Sequence, residues 1–205
     1  MLTDLSIRSY LARTASGDPL PGGGSSAALN AALAAALTEM VANLTIGRKG
    51  FEAVDADMRA VAEKAAAFRS KLVDDVDRDS EAYTQVLKAF QMPKATEAEK
   101  AARRRAVQEA FKEAARVPLG VARDAIASMD LGRAVIAPGN TNAASDGAAG
   151  VLAARMAART AVYNVRINLA SIRDEAFTSA LRREAELIEA EAEAKEKEIL
   201  AQLKL

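Results

Sequence analysis

The sequence contains no cysteine, no histidine and no tryptophan. Without cysteine there is no thiolate nucleophile, no disulfide and no thiolate ligand set for an iron–sulfur cluster. Without histidine there is no Ser-His-Asp triad and no HExxH zinc site. Catalysis by this chain would therefore use carboxylates, lysine, tyrosine, serine, side-chain amides or backbone dipoles.

The chain has no excess of positive or negative charge, because its 28 Lys and Arg residues balance its 28 Asp and Glu residues. Nucleic-acid binding depends mainly on neutralising phosphates, so this balance predicts no nucleic-acid partner. The N-terminal segment has an acid among its apolar residues, unlike a secretory signal. The 27–42 segment is mostly alanine and contains Asn30, Thr38 and Glu39, so we expect no membrane span. These features predict a soluble, cytoplasmic protein.

Alanine is abundant, with 49 of 205 residues, and Glu, Lys, Arg and Leu supply much of the rest. These residues favour helix, and apolar positions recur at spacings of three and four without strand-like runs. The fold is predicted to be all-α, a bundle of long antiparallel helices. We expect one domain over residues 1–205, because no linker or internal repeat divides the chain.

Breakers, caps and periodicity predict helices near residues 3–16, 25–45, 54–90, 96–129, 147–172 and 178–205. Ser25 or Ser26 is expected to cap the second helix. Thr96 and Glu99 have the spacing of a capping box, and Pro118 predicts a kink in the helix that follows. In the third helix apolar residues step by three or four without a break, which predicts one buried seam.

Asp79 interrupts that apolar seam. One interpretation is a core carboxylate neutralised by an arginine, or one that reaches water because the helix is slightly turned. The other is a functional group with a perturbed pKa and a fixed orientation, as proton transfer or a cationic ligand requires. Tyr83, one turn further on, lies on the same face and could hydrogen-bond Asp79 or the ligand. In the acidic cluster at 74–79 only Asp75 and Asp79 share a face, so we predict no metal site.

Two loops carry groups typical of ligand sites. A glycine run at 22–24 precedes a helix start, where backbone N–H groups can approach a ligand, although such runs also simply connect helices. A second loop, 138–146, offers more capping groups than one helix needs: Asn140, Asn142, Ser145 and Asp146. Its surplus amides and carboxylate suit ligand recognition, and an over-capped loop is the alternative.

Two basic residues are further candidates. Arg159 lies near the apolar line of its helix and therefore needs an anion, either Asp79 or a ligand carboxylate. Lys49 lies between Gly47 and Gly50, and its spacing alone predicts a solvated loop lysine.

Pairs at i,i+4 add two smaller expectations. Glu99 and Arg103 are expected to pair on a solvated face. Asn164 and Asn168 form a polar pair on an otherwise mostly apolar helix, and no role is assigned to them.

Four segments, in this order, resemble the formimidoyltetrahydrofolate cyclodeaminase / methenyltetrahydrofolate cyclohydrolase family. They are Pro21–Ser25, Asn43–Lys49, Asp79–Tyr83 and Gly139–Asp146. The similarity covers essentially the whole chain, which looks like the stand-alone bacterial cyclohydrolases. It implies an all-α homodimer that hydrolyses 5,10-methenyltetrahydrofolate to 10-formyltetrahydrofolate without a metal or bound cofactor. Ammonia-releasing cyclodeamination and a non-catalytic folate-binding helical dimer are the alternatives.

The resemblance also implies roles for single residues. Lys49, Asp79 and Asp146 are the expected catalytic residues. One of the two carboxylates would stabilise the cationic substrate and orient or deprotonate the water, and Lys49 would transfer a proton. The expected substrate-binding residues are Gly22, Gly23, Gly24, Asn43, Tyr83, Asn140, Asn142 and Arg159.

Overall fold

The computed structural model describes residues 1–203, whose regular structure is entirely helical. The α-helices are α1 Ile7–Thr14, α2 Gly23–Asn43, α3 Asp55–Gln91, α4 Glu97–Ile136, α5 Ala144–Leu169 and α6 Glu175–Leu200. Short 3-10 turns lie at Leu2–Asp4, Glu52–Val54 and Thr141–Ala143. The predicted all-α bundle is confirmed.

Helix α2 is the centre of the bundle and is packed by α3, α4 and α5. Its core-facing residues are alanines, and Ala28, Ala31 and Ala35 have no exposed surface. Short side chains let the neighbouring helices approach closely, so a Cβ at Gly150 of α5 would lie 3.3 Å from the carbonyl oxygen of Ala34. By length and composition α2 could cross a membrane, and 56% of its most apolar stretch is buried here against other helices.

Helices α2 and α5 run antiparallel. Gly147, in the first turn of α5, faces Val41 near the end of α2, whereas Asn164 faces Gly23 at the start of α2. Helix α3 is antiparallel to α2 as well, since Ser25 contacts Asp79 in its second half. The first turn of α2 is therefore surrounded by the later turns of both α3 and α5.

The long helix α3 confirms the seam predicted from the sequence. Its buried apolar residues include Met58, Leu72, Val76 and Val86. The capping box at the start of α4 is also present, with Glu99 N donating to Thr96 Oγ at 3.2 Å and Thr96 N donating to the Glu99 carboxylate at 2.9 Å.

The N-terminal helix boundaries differ from the prediction. Residues 3–16 form a 3-10 turn and then α1, because the Ser6 hydroxyl accepts a hydrogen bond from Ser9 N at 3.1 Å and starts a new helix. The expected serine cap of α2 is wrong. Gly22 is the N-cap without a side-chain bond, and the hydroxyls of Ser25 and Ser26 bond elsewhere.

The later helices are longer or shifted. Helix α4 runs unbroken through Pro118 and ends at Ile136 rather than near Met129. Pro118 and its neighbours are buried, so packing offsets the hydrogen bond that proline removes. Helices α5 and α6 each begin three residues before the predicted start, and Asp174 caps α6. Residues 204 and 205, expected in the last helix, lie outside the described residues.

The N-terminal segment is fixed to α3 by Asp77. This buried carboxylate accepts hydrogen bonds from Leu2 N at 2.5 Å and from Thr3 Oγ at 2.6 Å. Burial raises the pKa of Asp77, but these bonds outweigh burial and leave the pKa below its ordinary value. Asp77 lies two residues before Asp79, so its hydrogen bonds hold the N-terminal segment close to the candidate site.

Candidate functional site

A cleft of about 240 Å³ opens beside the first turn of α2. Its walls are the loop before α2 and parts of α2, α3, α4 and α5. The lining residues are Pro19, Leu20, Gly22, Gly23, Gly24, Asp79, Tyr83, Ala114, Asn164, Ile167 and Asn168. Pockets that enclose a whole drug-sized ligand measure about 300–1,000 Å³. This cleft therefore suits one polar ring system of a larger molecule.

The predicted glycine run and Asp79 meet in this cleft. A Cβ at Gly24 would overlap the carboxylate of Asp79, and a Cβ at Gly23 would lie 3.0 Å from the amide nitrogen of Asn164. Glycine is needed at both positions because polar side chains of α3 and α5 press against the backbone of α2. The run thus brings a carboxylate to the positive end of a long helix.

Asp79 is largely buried and is bonded to Ser25, whose hydroxyl donates to Asp79 Oδ2 at 3.0 Å. Ser80 Oγ lies 3.0 Å from the same hydroxyl and can donate to it in turn. Burial raises the pKa of Asp79, while the hydroxyl and backbone N–H of Ser25 oppose that rise. Asp79 is therefore a more basic carboxylate than an exposed aspartate, and no arginine within residues 1–203 neutralises it.

Asn164 and Asn168 present hydrogen-bond acceptors to the cleft. The Asn164 amide nitrogen donates to Thr160 O at 2.9 Å, and that of Asn168 donates to Ala114 O at 2.8 Å and Asn164 O at 2.9 Å. These bonds fix both amide orientations. Each Oδ1 is then left to accept from a ligand, because no hydrogen bond to it forms within the described part of the chain.

Replacing Gly24 by Ala is expected to destabilise the fold by about 1–3 kcal/mol through overpacking against Asp79, and to lower activity by displacing that carboxylate. Gly120→Ala is the matched control, because a Cβ at this helical position meets nothing within 4 Å. It should instead stabilise the protein by about 0.5–1 kcal/mol. Urea unfolding of both variants measures the difference. Equal stability of Gly24→Ala and the wild type would contradict the contact.

Five of the other predicted residues lie at the opposite end of α2. Lys49 is exposed in the loop after α2, and Asn43 is exposed in its last turn. Asn140 is buried at 4% exposure, with its amide nitrogen donating to Leu44 O at 3.1 Å and its Oδ1 accepting from Asn142 N at 3.0 Å. Asn140 therefore ties the loop before α5 to the end of α2.

Asp146, in the first turn of α5, and the exposed Asn142 belong to the same end. This end is separated from Asp79 by the length of α2, about 30 Å at 1.5 Å per residue. Within one chain the predicted residues thus form two groups: a cleft group with Gly22–Gly24, Asp79 and Tyr83, and a loop group with Asn43, Lys49, Asn140, Asn142 and Asp146.

Arg159 belongs to neither group. Its Nε donates to the hydroxyl of Tyr163 at 2.8 Å and lies 3.5 Å from a carboxylate oxygen of Glu189. The prediction that Asp79 could be its partner is wrong, because Arg159 faces α6 across the outer side of α5.

This fold and site define a class of protein: an all-α bundle with a small polar cleft, built where a helix N-terminus meets a largely buried carboxylate and two amides. A sequence profile of the Formiminotransferase-cyclodeaminase family matches residues 6–187. The chain therefore belongs to this family, and the resemblance found in the sequence is confirmed.

Individual relatives agree. The chain is 41% identical over 186 residues to methenyltetrahydrofolate cyclohydrolase of Methylorubrum extorquens, covering 91% of this chain and 89% of the relative. It is 35% identical over 177 residues to formimidoyltransferase-cyclodeaminase of Sus scrofa, covering 86% of this chain but 33% of that protein. The crystal structure of formiminotetrahydrofolate cyclodeaminase from Thermotoga maritima superposes with a TM-score of 0.88 at 33% identity, covering 99% and 98% of the two chains.

Sequence reasoning missed the roles of three residues at the site: Asn164 and Asn168, which line the cleft, and Ser25, which bonds to Asp79. Ser25 was expected only as a cap, and its bond to Asp79 joins positions far apart in the chain. Asn164 and Asn168 were recognised as a pair without a role. Their i,i+4 spacing on a mostly apolar helix was the available signal. Amides on a mostly buried helix need hydrogen-bond partners, either in the protein or in a ligand.

Proposed function

We propose that this protein is a methenyltetrahydrofolate cyclohydrolase, an enzyme that hydrolyses 5,10-methenyltetrahydrofolate to 10-formyltetrahydrofolate. The observation that carries the proposal is the 41% identity, over 89% of its length, to the cyclohydrolase of Methylorubrum extorquens. The reaction needs charge stabilisation and proton transfer, which a carboxylate, a lysine and amides supply without metal or cofactor. Its substrate is a soluble folate, so we place the reaction in the cytoplasm.

The chemistry assigns a part to each group. The substrate is a cation whose bridging carbon is already electrophilic. Water adds to that carbon and loses a proton, and the bond from the carbon to N5 then breaks as N5 gains a proton. We assign Asp79 to the first part, since a largely buried carboxylate stabilises a nearby cation and its raised pKa makes it a better base. Asp146 is the alternative carboxylate, and Lys49 delivers the proton to N5.

The cleft also suits the pterin ring. The ring offers an amino group and ring N–H donors along one edge, and the Oδ1 atoms of Asn164 and Asn168 are acceptors. Gly22 lets the ring approach the backbone before α2, whereas Gly23 and Gly24 leave room for Asn164 and Asp79. Tyr83 also lines the cleft.

A homodimer would join the two groups of residues. Helices α2 and α5 together expose an apolar face made of Leu29, Leu33, Met40, Leu44, Leu152, Met156, Tyr163 and Ile167. An apolar face of this extent on a soluble protein is typical of a protein interface. Two-fold dimers are the commonest assemblies of identical chains. We propose that such a dimer buries this face.

The direction of the two-fold axis has a consequence for the site. If the axis crosses α2 near its middle, α2 lies antiparallel to its copy. The first turn of α2 with Asp79 then meets the loop after α2 of the partner, which carries Lys49. Each cleft would be completed by the loop group of the other subunit, which brings the ammonium group of Lys49 to the cleft that holds Asp79.

The deciding experiment follows methenyl absorbance and ammonia release in parallel. Purified protein is expected to accelerate the loss of methenyl absorbance from 5,10-methenyltetrahydrofolate over the uncatalysed rate. Cyclodeamination is the second candidate, favoured by the 33% identical cyclodeaminase of known structure. Ammonia released from 5-formimidoyltetrahydrofolate at a comparable rate would select it. Folate binding without turnover of either substrate would contradict both and leave a binding protein.

A further inference from the structure

A second, basic pocket lies beyond the cleft. Its volume is about 120 Å³, and it is lined by Phe90, Arg103, Arg104, Val107, Gln108 and Arg173. Three arginines thus converge on one small depression where α3 ends, α4 begins and the α5–α6 loop passes.

The acidic residues around this pocket are engaged elsewhere. The expected Glu99–Arg103 pair is not formed, because the Glu99 carboxylate accepts N–H bonds at the start of its own helix. Asp174 pairs with Lys112 at 3.0 Å. In the described part of the chain, none of the three pocket arginines pairs with a carboxylate, so the pocket keeps its positive charge.

The pocket is also held in shape. Arg103 Nε donates to Phe90 O at 3.1 Å, and its guanidinium lies 5.5 Å from the centre of the Phe90 ring. The Gln108 side chain donates to Ser171 O at 2.9 Å and accepts from Arg173 N at 2.7 Å. Gln108 therefore fixes the loop that brings Arg173 to α4.

The same helices line the cleft and the pocket. Phe90 follows Tyr83 by seven residues in α3, and Val107 precedes Ala114 by seven in α4. Each step corresponds to about 10 Å along a helix. Leu87, which is 37% exposed, lies on α3 between them. A polar cleft, an apolar stretch and a cationic pocket thus follow one another in a line.

We propose that the pocket of Arg103, Arg104 and Arg173 binds the glutamate carboxylates of the folate tail, including γ-linked chains of several glutamates. This inference rests on the proposed function, which places the pterin ring in the cleft. The order of the three surfaces matches the order of pterin, aminobenzoyl ring and glutamate in the ligand. Guanidinium groups are the side chains best suited to carboxylates, because they donate two parallel hydrogen bonds.

The test compares substrates of different tail length with the double variant Arg104→Gln/Arg173→Gln. Arg103 is kept because it also holds Phe90. For 5,10-methenyltetrahydrofolate with three glutamates we expect KM to rise about tenfold, as lost charge-assisted bonds predict. The increase should be smaller with one glutamate and smallest for the pteroate analogue with none. Arg105→Gln, which removes one positive charge from the same helix outside the pocket, should leave kinetics unchanged.

An equal KM increase for all three tails, or an equal effect of Arg105→Gln, would overturn the proposal. A binding measurement separates it from the proposed function: calorimetry with 5-formyltetrahydrofolate bearing one or three glutamates needs no turnover. Tighter binding of the longer tail that the double variant loses supports the pocket even if no methenyl substrate is hydrolysed. Wild-type protein that binds both tails equally overturns it, whatever the enzyme activity.

Discussion

Asp79→Asn is expected to reduce kcat for methenyltetrahydrofolate hydrolysis by about 10²–10⁴-fold, the contribution of a well-placed general base. The amide keeps the size of the carboxylate and its oxygen can still accept the bond from Ser25, so the cleft keeps its shape. Stopped-flow loss of methenyl absorbance measures the effect. A variant with near wild-type kcat would remove Asp79 from the chemistry and leave Asp146 as the candidate.

Asp79→Asn is expected to stabilise the fold at neutral pH, although it lowers activity. Burial raises the pKa of Asp79, so the native state binds its proton more tightly than the unfolded chain. Wild-type stability therefore falls as pH rises from the ordinary carboxyl pKa, about 3.9, through the raised value. The amide of the variant carries no charge to desolvate, so Asp79→Asn should be the more stable protein at neutral pH, and its advantage should shrink in acid.

Asp77→Asn is a matched control, because its effect on stability is expected to have the opposite sign. The pKa of Asp77 is lowered, so its ionised form contributes stability that is present above the ordinary pKa and lost as pH falls through the lowered value. This variant should therefore be less stable than wild type at neutral pH and approach it in acid. Urea unfolding across pH measures both variants. The same trend for both would contradict the contrast between their surroundings.

Mixing two inactive variants should restore activity if the site is shared between subunits. Lys49→Met and Asp79→Asn are each expected to lose most activity alone. In a mixed dimer one site receives both substitutions and the other receives neither. Random re-pairing after joint refolding should restore about one quarter of wild-type activity, since half of the dimers are mixed and each has one intact site.

Lys49→Met refolded with the double variant Lys49→Met/Asp79→Asn is the control for this experiment. Every site in these dimers lacks Lys49, so no activity should return. Size-exclusion chromatography with light scattering checks that every variant is a dimer. Recovery in neither mixture would place the whole site within one chain, and an active monomer would contradict the dimer itself.

Local sequence signals predicted most of the helices. The unbroken apolar spacing indicated α3, and the Thr96–Glu99 capping box indicated the start of α4. Helix ends were less accurate because burial carries α4 through Pro118 and past Met129, against local preference. Periodicity reports which face is buried, but not how far tertiary packing extends a helix.

The site was predicted in part for the same reason. Gly24 and Asp79 were both identified, but their direct contact follows from the packing of α2 on α3, which no local pattern encodes. Arg103 was assigned to Glu99 by spacing, whereas Glu99 bonds to the backbone at its own helix start. Whether Glu99 caps the helix or pairs with Arg103 depends on three-dimensional geometry. The unpaired arginines of the pocket were therefore found only from the structure.

The alanine face of α2 restricts which parts of the protein can change conformation. Alanine has no rotamers to exchange, and the helices around α2 already touch its backbone, so sliding them would create either a clash or an empty space. The wall that carries Asp79 and Asn164 is consequently stiff. We therefore expect conformational adjustment to an arriving molecule in the segments 15–22 and 44–54, which lie between the α-helices.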